Sequence, residues 1–253
     1  MAETSKLTLA ELPKKIRSEK RLKRGLKEVF RQMSDELTLK MAVTGVLPDL
    51  TNFNPDMEAV LRTNYRMASR DFKFTARDRF DIDRETDAGQ IDEELAAFIL
   101  LATGNSTREI MITTANVARN AETEVRLSAE AEGRALTAGE TALLVGTAFS
   151  RRNSKRVDTI AQTEIQNISE SSKQIEGDAL IASNNLKAKK MWDAILDSRT
   201  RPAHARADSQ IRDVNQAFDV GGEKLMFPRD TSLGATADNV INCRCSSQLV
   251  KTE

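Results

Sequence analysis

The chain is poor in the residues that build large cores and active sites. Its 253 residues include one histidine, one tryptophan, one tyrosine and two cysteines, and aromatics make up only 4%. With so few rings, burial falls to aliphatic and Ala-rich segments, which favours helix packed on helix. No apolar run nears the ~20 residues that a membrane span needs. The N-terminal MAETSKLTLA lacks the apolar stretch of a secretion signal, so neither export nor a membrane partner is expected. Two cysteines without an export signal fit folding in a reducing compartment. The sequence also contains no G-x-S-x-G and no phosphate loop, which removes two large enzyme classes. Acidic and basic residues balance at 38 each, and the length allows one large domain or two small ones.

What is present is unevenly distributed. Leu22, Leu26, Val29, Met33, Leu37 and Met41 step by three or four, which predicts an amphipathic helix over 9–44 that Gly45 and Pro48 stop. The first half of that helix holds Lys14, Lys15, Arg17, Lys20, Arg21, Lys23, Arg24, Lys27 and Arg31 against only Glu19 and Glu28. So basic a segment suits a phosphate backbone or an acidic protein surface, and otherwise is a solvated helix face. Only Phe30 interrupts the charges, so base stacking is not expected. Pro48 to Pro55 reads as a linker, followed by a helix through Leu61 and Met67. Residues 71–94 read as polar loop with a short strand. A buried helix is predicted over 94–102, another from the capping spacing Ser106–Glu109 to about Glu132, a third from Thr137–Glu140 to about Ser150, and a fourth over 155–183. Val157, Ile160, Glu164 and Ile168 fall on one face of the fourth. From Asn184 onward glycine and proline concentrate. Lys190, Trp192, Ala194 and Leu196 alternate with Met191, Asp193 and Ile195, as a short strand with Trp192 buried would. The fold class is α+β: a mostly helical N-terminal half with a long amphipathic helix, then a compact C-terminal domain with a small sheet. The expected parts are a basic helical arm over 1–50, a helical region of unknown role over 51–139 and the compact domain over 140–253.

Candidate chemistry gathers in that last part. Cys243 and Cys245 share a face if their segment is extended, and a disulfide between them would close too tight a loop. With His204 and Asp208, four apart, they could complete a zinc set. The alternative is two buried thiols and a histidine that holds a turn. A catalytic reading makes His204 a general base oriented by Asp208, but no nucleophile motif accompanies it. Asp197, Arg199, Arg201, His204 and Asp208 are better read as an ion-pair and hydrogen-bond lattice that fixes loops. No catalytic residue is assigned and no cofactor is expected, with zinc on the Cys/His/Asp set left open. Asp81, Asp83 and Glu85 fall at calcium-loop positions, but Thr86 and Asp92 stand where glycine and glutamate are needed, so this is read as a solvated acidic loop. Glu130 and Glu132 read as surface charge.

Four ordered blocks carry a family resemblance: TIAQTE (159–164), WDAILDSRTRPAHARADSQ (192–210), FDVGGEKLMFPRD (218–230) and GATADNVINCRC (234–245). Over residues 140–247 the chain resembles the phage head-morphogenesis family named for the F protein of phage Mu. The family's signature falls on Thr163, Glu164, Trp192, Asp197, Arg199, Thr200 and Arg201, then on His204, Asp208, Gln210, Gly221 and Gly222. It continues through Pro228, Asp230, Gly234, Asn239, Asn242, Cys243, Arg244 and Cys245. Ser209 and Arg229 stand where the family has glycine, so a different backbone is expected in those two turns. Gln162 replaces the family's frequent arginine. The resemblance implies a structural, non-enzymatic minor head protein of a tailed double-stranded DNA phage. Such a protein is bound to the portal protein inside the capsid and is made in the host cytoplasm. It assists head assembly and DNA packaging or ejection. Scaffold, major capsid protein and genomic double-stranded DNA are further partners it implies. Two other classes stay open: a nucleic-acid-binding protein ejected with the genome, and a Cys/His/Asp hydrolase or metalloenzyme.

Overall fold

The computed structural model describes residues 2–83, 88–183 and 186–252. The protein is α+β, as the sequence predicts. Helix α1 covers Ala2–Thr44, α2 Asn54–Phe72, α3 Thr75–Phe80, α4 Ala88–Ala131 and α5 Ala138–Ala182. All six residues of the α1 stripe, Leu22 to Met41, are buried. Gly45 ends the helix at φ 70°, a left-handed turn that glycine adopts at little cost, and its N–H donates to Met41 O at 2.9 Å. The capping box before α5 forms as its spacing predicts. Glu140 N–H donates to Thr137 Oγ1 at 3.2 Å, and Thr137 N–H donates to Glu140 Oε2 at 2.9 Å. Among the described residues, no helix is long and apolar enough to cross a membrane.

Two predicted breaks do not occur. The helices expected on either side of Ser106 are one helix, α4, and those on either side of Ser150 are one helix, α5. In α4 the buried row Ile99, Thr103, Thr107, Ile110 keeps helical step straight through Gly104-Asn105-Ser106. In α5 Phe149, Asn153 and Val157 do the same. Burial along a continuous face outweighs the weak local preferences that suggested stops. Residues 71–94 are also more helical than expected: α3 occupies Thr75–Phe80 and α4 starts at Ala88. Asp81 ends α3 in the left-handed region at φ 55°. Glu85, Thr86 and Asn184 lie outside the described residues.

The chain divides into two compact units, each assembled from separated segments. One comprises Lys20–Asn64 and Leu101–Ala161. Its interior is aliphatic: Leu26, Met33 and Leu37 of α1, Met57 and Leu61 of α2, Ala121 of α4, and Val145 and Phe149 of α5 are all fully buried. A Cβ on Gly146 would sit 2.0 Å from Thr38 Oγ1, and Ser34 Oγ–H donates to Gly146 O at 3.2 Å. Helices α1 and α5 therefore approach at a position where no side chain fits.

The other unit comprises Met1–Glu19, Tyr65–Leu100 and Gln162–Glu253. Its helical part buries charges beside apolar clusters such as Ile91, Leu95 and Ala179. Glu11, Lys15, Glu170 and Lys173 are buried together, with Lys15 Nζ 3.3 Å from Glu170 and Lys173 Nζ 2.9 Å from Glu170 and 3.3 Å from Glu11. Ser247 N–H donates to Glu170 Oε2 at 2.7 Å and Ser246 Oγ–H to Oε1 at 3.0 Å. Burial pushes the Glu170 carboxyl up, but the charges of Lys173 and Lys15 outweigh it and hold it below the usual range. Two cations offset two anions, so no net charge is buried. Strands β1 (Ala188–Asp193), β2 (Ile211–Arg212) and β5 (Ser246–Lys251) form an antiparallel sheet in the order β2-β1-β5. Strands β3 (Phe218–Val220) and β4 (Glu223–Leu225) form a hairpin around Gly221-Gly222, both at positive φ as a tight two-residue turn requires. Trp192 is buried as its alternation predicts, and so is Lys190 on the same face, which donates to Met226 O at 2.6 Å. The alternation ends with β1: Leu196 turns out at φ 57° and is exposed.

Candidate functional site

The signature residues act chiefly on loop backbone. After β1 the chain runs through Asp197 into α6 (Pro202–Ala207), which carries His204. Asp208 caps the end of α6 and accepts the N–H of Ala194 at 2.8 Å, which closes the loop at its base. Asp197 accepts the N–H of Arg199 at 3.0 Å and forms a two-pronged pair with Arg244, one prong at 2.8 Å. That guanidinium holds the Asp197 carboxyl far below the usual carboxylate range. Arg201 donates to Ile241 O. Both links tie the α6 loop to residues 241–245, which places His204 against the two cysteines. Gln210 pairs with β3 as a strand would, donating to Asp219 O at 3.0 Å and accepting Asp219 N–H at 2.8 Å. Cys243 and Cys245 lie in the irregular segment just before β5 rather than in the strand itself.

His204 Nδ1 is 3.5 Å from Cys243 Sγ and 3.4 Å from Cys245 Sγ. All three side chains are buried. Asn239, on the short helix α7 (Ala237–Val240), donates through Nδ2 to Val220 O at 3.2 Å and to Glu223 Oε2 at 2.7 Å. Those bonds turn its Oδ1 towards His204 Nε2 at 3.2 Å. Nε2 is therefore the protonated nitrogen, and Nδ1 is the one presented to sulfur. Trp192 walls the site, edge-on to His204 at 5.7 Å between ring centroids and to Phe218 at 5.3 Å. The hydrogen bond from Cys245 pulls the Cys243 thiol well below its ordinary range, against burial, with the Arg229 guanidinium pulling the same way. That same bond, together with burial, drives Cys245 upward.

Of the four residues expected as ligands, His204, Cys243 and Cys245 meet, with ligand atoms within 4.8 Å of one another. Asp208 is outside this group, because its carboxylate is spent on the loop backbone. The changed backbone expected at the two lost glycines is not found. Ser209 keeps φ 61° and Arg229 keeps φ 75°, both in the left-handed region. Arg229 is the residue that sequence reasoning missed. It is buried, and it donates to Cys243 O through Nε at 2.7 Å and to Gln162 O through Nη1 at 2.7 Å. Its one sequence signal was an arginine in a glycine turn. Thr163 is buried, and Glu164 accepts the Tyr65 hydroxyl. Asn242 is a left-handed turn residue at φ 57°.

The basic residues of α1 are not equivalent. Lys15 is internal, in the ion network above. Lys14 donates to Asp71 O at 3.0 Å and Lys23 pairs with Asp158 at 3.0 Å. Arg31 pairs with Glu28 and Asp35 on the surface, and Arg21 is half-buried. Arg17, Lys20, Arg24 and Lys27 are exposed.

Residues 129–248 match the family model described as Phage Mu protein F like protein. This is the family that the four sequence blocks resemble, and the matched span contains every residue of the His204 site. The match suggests a phage head-morphogenesis protein of the virion. No curated protein and no solved structure matches the chain.

Proposed function

We propose that this chain is a structural minor head protein that associates with the portal protein inside the capsid of a tailed double-stranded DNA phage and assists head assembly and DNA packaging or ejection. The observation that supports this reading is the use to which the Mu F-like signature is put. Asp197, Arg201, Asp208, Gln210, Asn239 and Arg244 all bind backbone or neighbouring side chains of the same module, and the two cysteines they enclose are 2–3% exposed. A hydrolase would need its nucleophile open to substrate. The test is to isolate portal-containing procapsids and ask whether the chain co-purifies in high salt. Retention is expected. Its absence from those particles would overturn the assignment.

A second reading has its own support. Exposed Lys20, Arg24 and Lys27 recur along α1 at the step of one helix face, which suits the phosphates of genomic DNA. Reversing these three charges should abolish DNA retention and flatten its salt dependence. Unchanged retention would remove DNA as a partner of this helix.

A further inference from the structure

We propose that Cys243, Cys245 and His204 bind one zinc-class divalent ion through both sulfurs and Nδ1, with the fourth position open to a solvent-derived ligand. Tetrahedral zinc with bonds of about 2.3 Å to sulfur and about 2.0 Å to nitrogen sets neighbouring S and N ligands about 3.5 Å apart. Nδ1 lies 3.5 and 3.4 Å from the two sulfurs, so little movement is needed. The ligand nitrogen is fixed from behind, since Asn239 accepts from Nε2 and is itself held by Val220 O and Glu223. This is the outer-shell arrangement that metal-bound histidines have. Two thiolates and a neutral imidazole cancel the charge of a divalent ion, so the loaded site is neutral and suits burial. Any proton still held by either sulfur leaves to solvent on binding. Soft sulfur ligands favour zinc over magnesium or calcium.

No carboxylate completes the set among the described residues. The three ligands instead line a crevice shared with Thr200, Arg201 and Arg244, with room for about one water. That water, or a small anion drawn by the arginines, is the fourth ligand.

Trp192, the chain's only tryptophan, reports on the site from 5.7 Å. The experiment titrates the full chain, reduced and stripped by chelator, with Co2+. It follows sulfur-to-cobalt absorption, the tetrahedral d–d bands and Trp192 fluorescence. Saturation at about one ion per chain, quenching of Trp192 and reversal by Zn2+ are expected. Asp208→Asn should bind as the parent does, and Asn239→Ala about 10–100-fold more weakly. A chain that stays folded by circular dichroism, yet gives no cobalt bands and no quenching, would overturn the site. Wild-type protein carries this readout, so misfolding of Cys243→Ser or His204→Ala does not blunt it. Loss of metal binding from Asp208→Asn alone would overturn the ligand assignment.

Discussion

The two units are held together by different physics. In the unit of Lys20–Asn64 and Leu101–Ala161, apolar side chains at helical step are buried together with a few neutral polar ones, and none of the described charged side chains is fully buried. In the other, buried charges pair with one another and side chains bind loop backbone. An apolar interior tolerates substitution if volume is kept. A polar one does not, because removing one partner strands the other without water. A module whose signature is rich in Asp, Arg, Asn, Gln and His depends on the second kind of order.

The largest expected effect follows from that contrast. Glu170→Ala leaves the buried Lys15 and Lys173 to share Glu11, with one positive charge uncompensated, and should cost about 3–5 kcal/mol in chemical denaturation. A loss below about 1 kcal/mol would place those lysines in water instead. Glu176 comes next. Its carboxylate accepts the N–H groups of Ala76 and Arg77 at 2.7 and 2.8 Å, and burial pushes its pKa up from 4.5 to about 7. Below pH 4.5 the group is protonated whether folded or unfolded and contributes nothing to the pH dependence. Between there and about pH 7 the unfolded chain loses its proton first, so stability falls as pH rises. Above pH 7 the loss is complete, about 3 kcal/mol. Glu176→Gln should remove that slope from the stability profile, and a variant that keeps it would assign the slope elsewhere.

The aliphatic unit should respond to volume. Gly146→Ala improves helix propensity by up to about 1 kcal/mol, yet its methyl meets Thr38. A net loss of about 1–3 kcal/mol is expected, and a stabilised variant would contradict the close approach of α1 and α5. Smallest is Thr137→Ala, which removes half of the capping box and should cost about 1 kcal/mol.

The same contrast explains what could be read from sequence. The α1 stripe, the capping box at Thr137 and the buried face of β1 were legible because apolar spacing and a local motif determine them. The meeting of His204 with Cys243 and Cys245 was legible because four ordered blocks carried it. The ion network was not: Lys15 stood only among the basic residues of α1, no motif or spacing singles out Glu11, Glu170 or Lys173, and only long-range packing puts them inside. Asp208 shared the spacing of a ligand, but α6 ends before it and leaves its carboxylate to the Ala194 backbone. Arg229 hid in a turn position, where sequence reasoning asks about backbone and not about a side chain. Helix stops at Ser106 and Ser150 were over-read, because local capping signals are weak beside a continuous buried face.

That the Mu F-like signature encloses its thiols to hold loops together, and does not expose a nucleophile, is tested most directly by thiol titration of the native, reduced full chain with an aromatic disulfide reagent. Cys243 and Cys245 are expected to stay unreactive until the chain unfolds, then to react together. Rapid native-state reaction of Cys243, with His204→Ala abolishing it, would contradict a closed structural site and point to an activated thiol.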